Sequence, residues 1–405
     1  MSLNNTPQGE RLHIALFGKR NAGKSSLINA LTNQDLAIVS PVKGTTTDPV
    51  YKAMELLPLG PIMLIDTPGL DDSGDLGLQR VQKTKEVLRK TDVALLVIDA
   101  AIGFSDLEAE LISNLQAKKI PFIIVYNKVD LLNGEPAVLP ANLSAPCLLV
   151  SAEKKEGIEE LKTALAAFQT QEDEAYLVKD LLAPDDLVVL VIPIDSSAPK
   201  GRLILPQQQM IRDILDAGAF TTVTRDTELS AALAALGQKP KMVITDSQAF
   251  AQAAQATPED IALTSFSILM ARYKGDLPTL VRGAAFIHNL KDGDKILIAE
   301  GCTHHRQCED IGTVKIPRML QKATGKQLIF ETCSGRSFPD NLNDYALVVH
   351  CGGCTLNRRE MLHRLNYVQE YDLPIVNYGV LMAYIQGILP RTISLFPEAL
   401  QALNE

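Results

Sequence analysis

Residues 18–25, GKRNAGKS, decide the fold. Gly18, Gly23, Lys24 and Ser25 satisfy G-x-x-x-x-G-K-[ST], a pattern that works only between a strand and a helix. The apolar run His13–Phe17 reads as that strand, and Ser26–Leu31 as the start of that helix. Glycines let the loop curl so that successive N–H groups, from Gly18 through Asn21, Ala22 and Gly23 to Ser26, point at phosphate oxygens. Lys24 adds a point charge near the β/γ phosphates, and the Ser25 hydroxyl is placed to hold Mg²⁺.

Outward from this loop, strand candidates recur at Ile62–Ile65, Val93–Ile98, Phe122–Tyr126 and Leu148–Val150. Helices are expected at Lys24–Leu31, Leu78–Lys90, Asp106–Ala117 and Gly157–Phe168. This alternation predicts an α/β region with a parallel sheet covered on both faces. The loops at the strand ends form a set. Asp66-Thr67-Pro68-Gly69 offers a carboxylate for hydrated Mg²⁺ and the Gly69 N–H for a γ-phosphate. Asn127-Lys128-Val129-Asp130 ends in a carboxylate that can accept from guanine N1–H and N2–H₂, a donor pair that adenine lacks. Ser151-Ala152-Glu153 follows the last strand, and Gly44-Thr45-Thr46-Thr47-Asp48 can bring a Thr hydroxyl to Mg²⁺.

Residues 11–168 resemble the GTPase domain of the translation-factor-related class, which includes tRNA-modification and ribosome-assembly GTPases. The resemblance implies that Thr46 is the Mg²⁺-binding switch residue, counted with Lys24 among the catalytic residues. It also implies that Asn21 helps to hold a K⁺ ion in the place of an arginine finger. Leu70 stands where Ras-type proteins have a water-orienting Gln, so slow intrinsic hydrolysis is expected, with Gln79 or Asp75 as candidates to orient the water.

The 405 residues suggest two to three domains, and 46% hydrophobic with 21% charged residues is ordinary for a globular protein. No apolar run reaches a membrane span, no signal-peptide core is visible at the N-terminus, and six cysteines in this length are no disulfide framework. A cytoplasmic location without membrane contact follows as the expectation. Net charge is −9 and no segment is strongly basic, which counts against nucleic acid as a partner.

A second alternating pattern begins after the acidic linker Gln169–Asp186. Strands are expected at Leu187–Ile194, Phe220–Thr224, Met242–Thr245 and Ile261–Ile268, with helices at Pro206–Ala217, Glu228–Leu236 and Gln248–Ala256. Asp195, Lys200 and Arg202 read as a solvated turn. An apolar edge strand here, Leu187–Ile194 or Ile261–Ile268, invites a dimer formed by joining sheets.

In residues 271–405 two Cys/His clusters each follow an apolar strand. Gly301-Cys302-Thr303-His304-His305 follows Lys295–Ala299, and His350-Cys351-Gly352-Gly353-Cys354 follows Tyr345–Val349. Adjacent parallel strands would bring Cys302 beside Cys351 and Cys354, with His304 and His350 nearby. Gly352 and Gly353 allow a tight turn with N–H groups free to bond sulfur. A Cys₃His zinc site and a 4Fe–4S cluster both suit these residues. Cys308 and Cys333 read as structural, and Cys147 as a core residue.

A GTPase with Asn in its phosphate loop, then a plain α/β region, then C-x-H and H-C-x-x-C, resembles the FeFe-hydrogenase maturation GTPase family over essentially the whole chain. The resemblance implies a 4Fe–4S cluster on Cys302, Cys351 and Cys354 with an exchangeable fourth ligand, His304 and His350 being possible ligands. It implies three α/β domains: a P-loop GTPase domain with a mostly parallel sheet (1–170), a small dimerisation domain (171–270) and an iron–sulfur cluster-binding domain (271–405). It implies a homodimeric scaffold that receives a di-iron precursor from two radical-SAM maturases and delivers it to apo-FeFe-hydrogenase. The competing expectation is a ribosome- or tRNA-associated GTPase with a C-terminal zinc module.

Overall fold

A computed structural model describes residues 6–33, 48–69, 83–132, 145–169, 175–194, 203–301, 310–335, 338–339 and 341–405. The chain forms two compact units, 1–173 and 174–405. Thr46, Leu70, Asp75, Gln79, Cys302, Thr303, His304, His305 and Cys308 lie outside the described residues, as do Asp195, Lys200 and Arg202.

The first unit is one six-stranded sheet in the order β2-β3-β1-β4-β5-β6. The strands are β1 (Leu12–Phe17), β2 (Val50–Leu56), β3 (Gly60–Asp66), β4 (Val93–Asp99), β5 (Phe122–Asn127) and β6 (Cys147–Leu149). All neighbours are parallel except β2 and β3. The apolar runs are continuous because both faces are covered. Ile14, Leu16, Leu64, Leu95, Val97, Ile123 and Val125 pack beneath α1 (Lys24–Thr32) and α4 (Ile158–Gln169). Their neighbours Ala15, Phe17, Ile65, Leu96, Ile98, Ile124 and Tyr126 pack beneath α2 (83–88) and α3 (Asp106–Ala117). Side chains of a strand alternate between faces, so a run apolar at every position needs helices on both. Strand β2 was not anticipated, because VYKAMEL mixes charge with apolar side chains and lies at the sheet edge.

The second unit holds two four-stranded sheets. In the order β10-β9-β7-β8 these are β7 (Leu187–Val191), β8 (Phe220–Thr224), β9 (Met242–Thr245) and β10 (Ala262–Ser265). The second sheet, β12-β11-β13-β14, comprises β11 (Lys295–Glu300), β12 (Ile329–Ser334), β13 (Leu347–His350) and β14 (Ile375–Asn377). Every pairing in both sheets is parallel. The helices are α5 (Leu205–Asp216), α6 (Leu229–Ala235), α7 (Phe250–Ala256), α8 (Phe266–Lys274), α9 (Leu277–Ala285), α10 (Ile316–Thr324), α11 (Arg358–Gln369), α12 (Tyr378–Ile385), α13 (Leu389–Thr392) and α14 (Pro397–Leu403).

One apolar core runs through both sheets, from Val188 and Ile244 through Ile268 and Leu280 to Ile298 and Val349. The position expected to divide the two regions, 270/271, falls inside α8. Two expectations are corrected. Ile261–Ile268 is not one strand: β10 ends at Ser265, whose Oγ accepts from the N–H of Ile268 at 3.2 Å and starts α8. The helix that follows is buried on most sides, so its apolar residues extend the strand pattern without a break. Leu187–Ile194 supplies an interior strand, whereas β10, from Ile261–Ile268, does lie at one edge; the other edge is β8, where Phe220 and Val223 face solvent.

Candidate functional site

The phosphate loop leaves β1 and enters α1 at the central strand of the first sheet, between β3 and β4. Order reverses at this point, and the strand C-termini splay into a crevice there. Gly18 stands at φ +150°, and a Cβ on it would lie 2.1 Å from the Val97 carbonyl oxygen. Gly23 stands at φ +90°, and a Cβ there would lie 2.2 Å from Asn127 Nδ2. These two glycines are therefore required by backbone and neighbour alike. Asn21 takes φ 61°, a left-handed conformation that Asn tolerates better than most residues.

Lys24 is buried, and its Nζ donates to the carbonyls of Gly18 and Lys19, each at 2.8 Å. Ser25 Oγ donates to Asp66 Oδ2 at 2.6 Å, which brings two of the residues expected around Mg²⁺ together. Gly69 lies against the same loop: a Cβ would come 2.8 Å from the Arg20 nitrogen. Thr67 Oγ1 donates to the Leu16 carbonyl at 2.5 Å and fixes the turn that carries Asp66 and Gly69.

Asn127 acts as a clamp. Its Nδ2 donates to the Ala22 carbonyl at 3.0 Å, and its Oδ1 accepts from the Ala152 N–H at 3.0 Å. One buried side chain thus joins the phosphate loop, the NKxD loop and the SAE loop. Lys128 takes φ 66° and sends Nζ to Asp99 Oδ2 at 2.7 Å. Asp130 accepts from Ser151 Oγ at 2.6 Å, and this bond is the main cause that holds its carboxyl below the usual range. Gly18, Asn21, Ala22, Gly23, Lys24, Ser25, Ser26, Asp66, Gly69, Asn127, Lys128, Asp130, Ser151 and Ala152 all lie on these loops or their immediate helix start.

Sequence reasoning missed Asp99 and Glu108. Glu108 is buried, caps α3 through the Ser105 backbone N–H at 3.0 Å, and lies 3.4 Å from Lys19 Nζ in the phosphate loop. The signal was present as a Ser-x-x-Glu capping box at Ser105 and Glu108.

In the second unit β11 and β13 are parallel neighbours, with Ala299 opposite His350. The two sequences that follow them, at Gly301 and Cys351, therefore emerge side by side. Cys351 Sγ accepts from the N–H of Gly301 at 3.0 Å and from that of Gly353 at 3.4 Å. Burial pushes the Cys354 thiol up, opposed by the nearby Lys274 ammonium. Lys274 Nζ, at the end of α8, donates to the carbonyls of Cys354 at 3.1 Å and Leu356 at 2.8 Å.

His350 has both ring nitrogens engaged within the protein. Its ring is fully buried, with Nδ1 2.7 Å from the Cys351 carbonyl and Nε2 3.1 Å from Arg364 Nη1. Arg can only donate, so Nε2 accepts and Nδ1 carries the proton. Burial first, and the Arg364 charge second, push the His350 pKa down to about 3. Arg364 is itself buried and donates to Glu360 Oε1 at 3.1 Å and to the Gly335 carbonyl at 2.8 Å.

Cys333 lies half-buried on the edge strand β12, opposite Ala299 of β11. Cys147, expected in the core, is exposed because β6 is the outer strand of the first sheet. Among the described residues no three His, Cys, Asp or Glu side chains form a metal site. The residues present fit a thiolate-bound cluster in chemistry: two cysteines on one glycine turn, and a sulfur that already accepts two backbone N–H groups.

Residues 177–275 match the hydrogen maturase F dimerization domain, and residues 278–395 the hydrogen maturase F tetramerization domain. Residues 13–128 match the 50S ribosome-binding GTPase family. The chain belongs to the hydrogen maturase F type of hydrogenase maturation GTPases. The two hydrogen maturase F matches together take in α8, Lys274 and the Cys351–Cys354 turn.

Curated tRNA modification GTPases are similar over the GTPase region. The tRNA modification GTPase MnmE of Nitrosomonas europaea is 36% identical over 157 residues, 38% of this chain and 34% of that protein. That of Bordetella petrii is 39% identical over 162 residues, 39% of this chain and 34% of that protein. The chain thus spans about a third of the length of these relatives. Among solved structures, Aquifex aeolicus Era bound to GDP·AlF₄⁻ aligns over 92% of this chain and 98% of that one, at 19% identity and a TM-score of 0.35.

Proposed function

We propose that the chain is a GTP-hydrolysing scaffold that carries a 4Fe–4S cluster and delivers the di-iron precursor of the hydrogenase active site to apo-FeFe-hydrogenase. The observation that carries this reading is the pair of sites in one chain of the hydrogen maturase F type. The first unit gathers the phosphate, Mg²⁺ and guanine loops at the C-terminal ends of its strands. The second presents a C-x-x-C turn whose sulfur is met by backbone N–H groups.

In the first site Lys24 and the loop N–H groups neutralise phosphate charge, Ser25 with Thr46 holds Mg²⁺, and Asp130 reads the guanine edge. Asn21 contributes to a K⁺ site and Gln79 orients water. In the second, Cys302, Cys351 and Cys354 hold the cluster, with His304 a further candidate beside the exchangeable position. The cluster supplies an iron open to bridging. GTP state then acts on partner binding or release, the partners being apo-FeFe-hydrogenase and the two radical-SAM maturases. The dimer forms through residues 171–270, for which β8 offers the exposed strand edge. Among the described residues no helix is long and apolar enough to cross a membrane.

The test is anaerobic reconstitution with iron and sulfide, read by metal content and by EPR of the reduced protein. A 4Fe–4S signal is expected from the unaltered chain and none from Cys351→Ser. One tightly bound zinc per chain, with no cluster under any condition, replaces this reading by that of a zinc-bearing GTPase. GTP turnover in K⁺ and Na⁺ is read on the same samples, and equal rates remove the K⁺ role of Asn21.

A further inference from the structure

Lys274 ends a helix of the first sheet of the second unit, yet its ammonium is spent on the cysteine turn. The side chain is 2% exposed, and Nζ lies 3.1 Å from the Cys354 carbonyl and 2.8 Å from that of Leu356. The surroundings hold it there. Arg358, at the start of α11, donates from Nε to the Tyr273 carbonyl at 3.2 Å. A Cβ on Gly275 would lie 3.1 Å from Leu365 Cδ1 of α11, so the chain after Lys274 is packed closely on that helix. A long flexible side chain loses about 2 kcal/mol of rotamer freedom when fixed in this way, and an ammonium loses its hydration. Lys274 donates to main-chain oxygens of the very turn that carries Cys351 and Cys354.

We propose that Lys274 is a positioning residue for the metal cluster, fixing the Cys354–Leu356 turn and placing a positive charge beside it. The inference rests on the cluster reading above. A cation held in a buried region near an iron–sulfur cluster favours its reduced, more negative state, so it raises the reduction potential. Groups that orient ligands from behind typically change metal affinity by about ten- to a hundredfold when removed. Lys274 lies within the span matched by the dimerization domain, whereas the cysteines lie within that matched by the tetramerization domain. A shift of α8 therefore reaches the cluster turn through two hydrogen bonds.

The experiment compares the full chain with Lys274→Gln and Lys274→Arg, each loaded anaerobically with iron and sulfide. Gln keeps an NH₂ donor group for the carbonyls and drops the charge, whereas Arg keeps charge and donors. The readouts are the midpoint potential followed by EPR and the rate of iron loss to a chelator. K274Q is expected to shift to a more negative potential and to lose iron about ten- to a hundredfold faster, with K274R restoring the potential. A loaded K274Q with unaltered potential and an iron-loss rate within twofold of the parent overturns the inference and leaves the cluster reading intact. A parent chain that takes up no cluster removes the reading itself. If K274Q does not fold, K274R carries the test: loss of the parent potential in a folded, charge-conserving variant overturns the electrostatic role, and its retention supports it.

Discussion

In the nucleotide site the groups that hold the loops together are mostly the motif residues themselves. Ser25 meets Asp66, Asn127 meets Ala22 and Ala152, and Ser151 meets Asp130. At the cysteine turn the supporting groups come from elsewhere. Lys274 arrives from a helix some eighty residues earlier in the chain. Arg364 arrives from α11, and the Gly301 N–H from the neighbouring strand. The first site is built by short motifs that each bring their own partner. The second is a short motif standing on side chains that belong to no motif. The difference teaches where each site is fragile: the first within its signature residues, the second behind them.

The sharpest way to break this comparison is to disturb the cysteine site without touching its signature. Arg364→Met leaves the buried Glu360 carboxylate without the guanidinium that lies 3.1 Å away, and leaves His350 Nε2 without its donor. Breaking one side of a buried ion pair costs about 3–5 kcal/mol. The denaturant midpoint of the second unit is expected to fall accordingly, with Glu360→Met/Arg364→Met recovering most of the loss. A midpoint unchanged by R364M would show that the site does not stand on α11.

At the nucleotide site a signature residue carries the effect. Asp130→Asn replaces an acceptor of two hydrogen bonds by a group that also donates. GTP affinity is expected to fall about a hundredfold, as charged hydrogen bonds are lost, while xanthosine triphosphate gains. Equilibrium titration with both nucleotides decides it; equal loss for the two would remove Asp130 from base recognition.

The smallest effect tests the support within the motif set. The Ser151 hydroxyl holds the Asp130 carboxyl below its usual range. A depressed carboxyl stays ionised, and able to accept, until pH falls through its lowered pKa. Ser151→Ala is expected to weaken GTP binding by a few-fold at neutral pH and to move its acid limb upward in pH. The pH profile of the GTP dissociation constant reads both, and an acid limb that stays in place removes the hydroxyl's role.

The interior of the first sheet was legible because its strands are nearly continuous apolar runs and its loops carry chemistry at strand ends. Phe220–Thr224 and Met242–Thr245 were also placed at their observed bounds. The misses have physical causes. VYKAMEL pairs at the sheet edge, where one side needs no apolar cover, so β2 carries no strong pattern. FSILMARYK is a helix buried on most sides, so it reads as more strand. His350 belongs to the signature by spacing, yet its two nitrogens are taken by a carbonyl and by Arg364, which no spacing reveals.

The sequence by itself determined the phosphate loop, the guanine-reading loop, the α/β class and the C-x-x-C turn. Each is a local pattern in which neighbours along the chain carry the chemistry or the periodicity. Only the tertiary structure decided that Asn127 joins three loops, that β7 is interior and β8 the open edge, and that Lys274 and Arg364 stand behind the cysteines. Those facts depend on strand order and on which long side chains reach across a shared core. Buried Lys and Arg choose their partners by proximity in space, and that proximity leaves no mark on the neighbouring residues in the chain.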